Sequence, residues 1–111
     1  MTNETLETIK NRRSCRAYKP EQITNEELDA VLEAGTYAAS AMGRQSAKIV
    51  VVQDAAARAQ LTRMNAAVMG RDTDPMYGAP TILVVLADAH AANAVPDGSL
   101  VMGNLMLAAA S

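Results

Sequence analysis

The sequence predicts an α+β domain, an α/β sandwich in which a mixed sheet is flanked by helices. Two observations predict it. Apolar residues recur at helical spacing in four separate segments, and two short runs dense in β-branched residues stand between them. Continuous apolar strands of that kind belong to a sheet covered on both faces, which requires helices on either side.

The elements follow in order. Residues 3–13 read as a short helix, with Leu6 and Ile9 on one face and Asn3 as its cap. Pro20 then enforces an extended link. Thr24 and Glu27 form a capping box, and the helix behind it carries Leu28, Val31, Leu32 and Gly35 at positions i, i+3, i+4 and i+7. Residues 40–46 are a loop containing Gly43, after which Ile49-Val50-Val51-Val52 reads as a buried strand. Asp54 caps a third helix with Leu61, Met64 and Val68 as its inner stripe. A loop rich in Gly, Asp and Pro over 70–80 leads into a second buried strand, Thr81 to Leu86. Asp97, just after Pro96, caps a last helix through Leu100, Leu105 and Leu107, apolar on nearly every side and therefore expected to be central. Two strands are few for a stable sheet, and the last helix reaches Ser111 without a Gly, Pro or basic last turn, as though cut. The expected organisation is a single domain over 1–111, with no repeats.

Composition narrows the function. Half of the 111 residues are hydrophobic, ample for a core, but the only aromatics are three Tyr, so that core is aliphatic and the seven Met are expected mostly at core-like positions. A net charge of −2 gives no general attraction to nucleic acid or anionic membrane, and interleaved aromatics for base stacking are missing. The polar N-terminus is no signal peptide, and the Leu100–Ala110 stretch is shorter than the roughly 20 residues a membrane span needs. The lone Cys15 forms no internal disulfide and fits a reducing, cytoplasmic setting. His90 reads as a loop residue, and one His with one Cys makes no soft-metal site; the Asp residues on loops suit caps and turns, so no metal is expected. No GxGxxG or P-loop pattern is present.

Chemistry concentrates near the N-terminus. Lys10, Arg12, Arg13, Arg16 and Lys19 are half of the chain's ten basic residues, and no acid interrupts them. A solvated basic face at a helix C-terminus is one reading. The other is a phosphate site: Arg binds phosphate bidentately, a Ser hydroxyl adds a donor, and in an extended segment Arg12, Ser14 and Arg16 fall on one side.

The stretch Arg12-Arg13-Ser14-Cys15-Arg16-Ala17-Tyr18, followed by an acid-capped helix, resembles the N-terminus of the FMN-dependent nitroreductase family. The resemblance implies that Arg12, Ser14 and Arg16 hold the FMN phosphate, with Arg13 flanking them at the flavin edge. The loop Ala38 to Ser46 is similar to the family's Pro-Ser-x-x-Asn-x-Gln-Pro loop, which packs on a flavin ring bound mainly by the other subunit. Ser40 and Gln45 match it, while Ala39, Gly43 and Ser46 depart from it. Gly43 lacks the side-chain amide, so ring contacts there fall to the backbone of Ala39, Ala41 and their neighbours. Asp74 to Pro80 and Asp97 to Ala110 resemble the family's middle segment and long central helix, the latter part of its dimer interface. The four matches occur in family order along the whole chain. The family continues beyond this helix with further strands, a basic residue near the phosphate and a backbone donor to the flavin, so the fold is expected to be incomplete at the C-terminus.

The function implied is an FMN-dependent oxidoreductase that uses NAD(P)H to reduce nitroaromatics, quinones or similar small-molecule acceptors by a ping-pong mechanism, as a homodimer with FMN at the interface. No dedicated acid–base side chain is implied. Two rivals stand beside it: a flavin-binding protein without turnover, and a different flavin chemistry on the same fold.

Overall fold

The computed structural model describes residues 1–111. Helix α1 covers Glu4–Asn11, α2 Asn25–Thr36, α3 Ala55–Met69 and α4 Ala94–Ala110; strands β1 (Lys48–Val52) and β2 (Ile82–Leu86) are neighbours in a two-stranded sheet. The helix-helix-strand-helix-strand-helix order read from the sequence is the order found.

The expected caps of the first three helices are present. The Asn3 side chain accepts the Leu6 N–H at 2.9 Å. Thr24 Oγ1 accepts the Glu27 N–H at 3.1 Å, and the Glu27 carboxylate accepts the Thr24 N–H at 2.9 Å. Asp54 accepts the Ala57 N–H at 2.9 Å. Each satisfies amides that a helix start leaves without a partner. At the other end of α3, Gly70 closes the helix at φ 69, the left-handed turn that glycine takes without steric cost.

The chain forms two compact units. The first comprises Met1–Ser14, Thr24–Ile49 and Val85–Ser111; the second comprises Cys15–Ile23 and Val50–Val84. In the first, α2 and α1 pack on α4. Its centre is Leu105, 3% exposed, which lies against Gly35 together with Ile49. Asn104 of α4 donates to the Ala34 carbonyl at 2.9 Å, pinning the two helices polar group to polar group. In the second unit, Ala66 and Ile82 are buried. Arg58 donates through Nε to the Gln53 carbonyl at 3.1 Å and through Nη1 to the Ala79 carbonyl at 3.4 Å. Gln53 and Gln22 both meet Thr81, and Gln22 donates to the Pro80 carbonyl at 2.9 Å. Asp74 organises the loop before β2 by accepting the Met76 and Gly78 N–H groups at 2.9 and 2.7 Å.

Four expectations from the sequence are corrected. The stripe of α3 does not include Met64 and Val68, which are 56% and 89% exposed; the inner face runs through Arg58, Thr62 and Ala66 at i, i+4 spacing, because the Arg58 guanidinium anchors that face to backbone carbonyls. The strands are not covered on both faces. Val50 and Leu86 are exposed, since each strand of a two-stranded sheet has an unpaired edge and little area to cover. Six of the seven Met are exposed rather than core, and the buried hydrophobic set is small: Ala66, Ile82 and Leu105. Helix α4 begins at Ala94, not after Asp97; α1 and α2 pack on it as a central helix requires, but Val95, Leu100, Met102 and Met106 are exposed, so it is not covered on every side. Pro96 falls in its first turn, where the missing N–H would have had no intrahelical partner. Asp97 is therefore inside the helix, and its carboxylate caps something else.

Candidate functional site

The basic segment emerges from the end of α1. Arg12 leaves helical geometry at φ −54, ψ 135, and its N–H still closes the helix on the Thr8 carbonyl at 3.0 Å. Residues 12–19 take neither helix nor strand. Arg12 is half-buried, while Ser14 and Arg16 are exposed. Arg13 turns back on the helix: its Nη1 donates to the Lys10 and Arg12 carbonyls at 2.7 and 2.9 Å. That spends part of Arg13 on the C-terminal carbonyls of α1, an interaction the helix dipole favours. The chain's one ion pair, Lys10 with Glu7 at 3.8 Å, leaves the guanidinium groups of Arg12 and Arg16 without a carboxylate partner. Cys15 is exposed, with Sγ donating to the Ala17 carbonyl, and the Tyr18 hydroxyl donates to the Cys15 carbonyl at 3.0 Å.

The second candidate group is the loop after α2. It contains a 3-10 turn at Ala41–Gly43 that its sequence does not announce. Three residues there have left-handed backbones: Met42 at φ 54, Gly43 at φ 64 and Gln45 at φ 50. Gly43 fits that region freely, and no atom would crowd a Cβ there. Met42 and Gln45 do not fit it freely, so the loop is held. Ser40 Oγ accepts the Gln45 N–H at 3.0 Å, and Gln45 Nε2 donates to the Thr36 carbonyl at 2.8 Å. Ser40 and Gln45, the residues that match the family pattern, thus brace the loop and each other. The Ser40 hydroxyl keeps its own proton to donate. Ala39, Gly43 and Gln45 are exposed, with Ser40 and Ala41 half-buried.

One residue of this loop's surroundings escaped the sequence reading. Asp97 is 6% exposed and the only buried charged residue, and its Oδ1 accepts the Ala41 N–H at 3.0 Å. An acid set one residue past a proline reads as a helix cap, which hid its part in a loop 56 residues away.

The structure brings Ala39, Ser40, Ala41, Gly43 and Gln45 into one loop, and Arg12, Arg13 and Ser14 to the end of α1. No hydrogen bond links the two groups. Arg16 belongs to the second unit. A pocket of about 260 Å³ lined by Thr5, Thr8, Ile9, Ala34, Asn104 and Leu107, among others, includes none of these residues. No cluster of three or more His, Cys, Asp or Glu is placed to hold a metal, and no helix is long and apolar enough to cross a membrane.

The chemistry of the residues at the end of α1 suits a phosphate group. At the end of α1 the Arg12 guanidinium has no carboxylate partner and the Ser14 hydroxyl is exposed, donors of the kind a phosphomonoester takes. The nitroreductase family model matches residues 9–111, and the chain belongs to that family. Among solved structures, it is similar to an FMN-bound nitroreductase from Bacteroides fragilis (33% identity, TM-score 0.86), covering 98% of this chain and 65% of that one. An FMN-bound nitroreductase from Desulfitobacterium hafniense is 30% identical with a TM-score of 0.86, over 99% of this chain and 66% of that one. An FMN-dependent nitroreductase from Clostridium difficile is 30% identical with a TM-score of 0.83, over 96% and 55%. The chain thus spans between 55% and 66% of the length of these proteins. No curated protein sequence matches it. Its fold is the nitroreductase fold.

Proposed function

We propose that the protein of which this chain forms part is an FMN-dependent oxidoreductase that takes electrons from NAD(P)H and passes them to nitroaromatics, quinones or related electron-poor acceptors, in ping-pong order. When bound, FMN supplies the electron-transfer chemistry. The residues of this chain hold and shape. Arg12 and Arg16 neutralise the phosphate and Ser14 donates to it. Ser40, through its hydroxyl, and the backbone of Ala39, Ala41 and Gly43 line the ring side, and Gln45 keeps the loop in place. Arg13 is a helix-end residue first and a flavin-edge residue second, since its Nη1 is already engaged. No side chain here is assigned a proton-transfer role.

The observation that carries the reading is that Arg12 and Arg16, in an acid-free segment inside the family match, have no carboxylate partner. A homodimer with the flavin at its interface accords with the exposed apolar residues Val95, Leu100, Met102 and Met106 of α4, the helix that resembles the family's interface helix.

The test is the visible spectrum of the purified protein, before and after NADH and then NADPH under nitrogen. A flavin band that bleaches is the expected result and names the donor. Protein that stays colourless after incubation with FMN refutes the reading for this chain. Changing Arg12 and Arg16 together to Ala is expected to weaken FMN binding by about 100-fold or more, on the order of 3 kcal/mol for two charge-assisted contacts. Unchanged affinity removes both residues from the phosphate site.

A further inference from the structure

We propose that Asp97 is a positioning residue: its buried carboxylate clamps the Ser40–Gln45 loop in the shape it presents to the flavin ring. The proposal rests on the flavin reading of that loop given above.

Three features carry it. Asp97 is the only buried charged residue of the chain, and a buried carboxylate persists only where it is hydrogen-bonded. Its bond goes to the N–H of Ala41, the first residue of the 3-10 turn, rather than to its own helix, whose cap position is Asn93. Second, the loop is under backbone strain at Met42 and Gln45, both non-glycine residues in the left-handed region. Such residues hold their conformation only when the surroundings over-determine it. Third, of the bonds that do so, Ser40 with Gln45 and Gln45 with Thr36 are local to the loop and the helix before it. Asp97 is the one side chain from a distant part of the sequence that bonds the loop. Asp97 also lies in the first turn of α4, where the helix dipole favours a negative group.

Asp97 touches neither phosphate nor ring in this scheme. It acts through Ala41, keeping the loop preorganised so that binding a flavin spends no free energy on ordering it. Loss of the carboxylate releases the loop and weakens flavin affinity, while an amide of the same shape, which still offers Oδ1 as an acceptor, preserves both.

The experiment is amide hydrogen exchange of the full chain by NMR, without flavin, for the parent, Asp97→Ala and Asp97→Asn, followed by FMN titration of each. In the parent and Asp97→Asn the Ala41 amide is protected; in Asp97→Ala it exchanges about tenfold or more faster, and FMN affinity falls by a similar factor. Parent protein whose Ala41 amide exchanges like a free one overturns the clamp, whatever the variants do. So does Asp97→Ala with unchanged exchange, or Asp97→Asn that loses protection. A loosened loop with undiminished FMN affinity overturns the link to flavin. If the parent takes up no FMN, the flavin reading fails, and the exchange measurements still decide the clamp.

Discussion

Gly35 sits inside α2, where intrinsic helix preference says that alanine is better by about 1 kcal/mol. Packing says the opposite. A Cβ at Gly35 would stand 2.7 Å from Leu105 Cδ2, 2.8 Å from Ile49 Cδ1 and 3.3 Å from Leu105 Cγ. Ile49 has room to swing its end away, being half-buried, but Leu105 is 3% exposed and has nowhere to go. Forcing one methyl into such a contact costs about 1–3 kcal/mol. We expect Gly35→Ala to destabilise the chain by about 1 kcal/mol after the helix gain is offset, a fall of about 4–8 °C in Tm for a domain near this size. Gly103 in α4 is the matched control, because no atom lies within 4 Å of a Cβ placed there. Gly103→Ala is expected to raise stability by about 0.5–1 kcal/mol. Thermal and urea unfolding followed by far-ultraviolet circular dichroism read both. If Gly35→Ala stabilises as much as Gly103→Ala, the contact of α2 with Leu105 is not tight, and the account of the first unit's centre is wrong.

Leu105→Ala is expected to cost about 2–5 kcal/mol, with the midpoint of urea unfolding as the readout; a loss under about 1 kcal/mol would mean that Leu105 is not the centre of its unit. Thr24→Ala and Asp54→Ala each remove a side-chain cap and are expected to cost about 1 kcal/mol by the same measurement, with Thr24→Ser keeping nearly full stability.

Local signals are legible in this sequence, and long-range ones are not. Asn3, Thr24 with Glu27, and Asp54 capped as expected, because a cap involves a side chain and an amide three residues on. The strands were found by their β-branched content, but not their exposure, which depends on what covers them. Met64 and Val68 looked like a core stripe because apolar spacing alone does not say which way a helix is turned; Arg58, a polar residue, decided it for α3. At the site, the basic segment and the loop were legible as motifs. The engagement of Arg13 with α1 carbonyls and the left-handed backbones at Met42 and Gln45 were not, since neither residue type announces it. The role of Asp97 is not legible in the sequence because its partner is 56 positions away.

The placement of the methionines has a consequence for chemical wear. Six thioethers face solvent, while the buried hydrophobic positions, Ala66, Ile82 and Leu105, contain no sulfur. Oxidants convert an exposed thioether to a polar sulfoxide, a change that reductases reverse and that disrupts structure mainly where the side chain is packed. In this chain that damage falls first on the outside: Met42 on the loop, Met64 and Met69 on α3, Met102 and Met106 on α4. The atoms nearest to Gly35 come from Leu105 and Ile49 and include no sulfur, so that contact keeps its fit while the surface changes polarity.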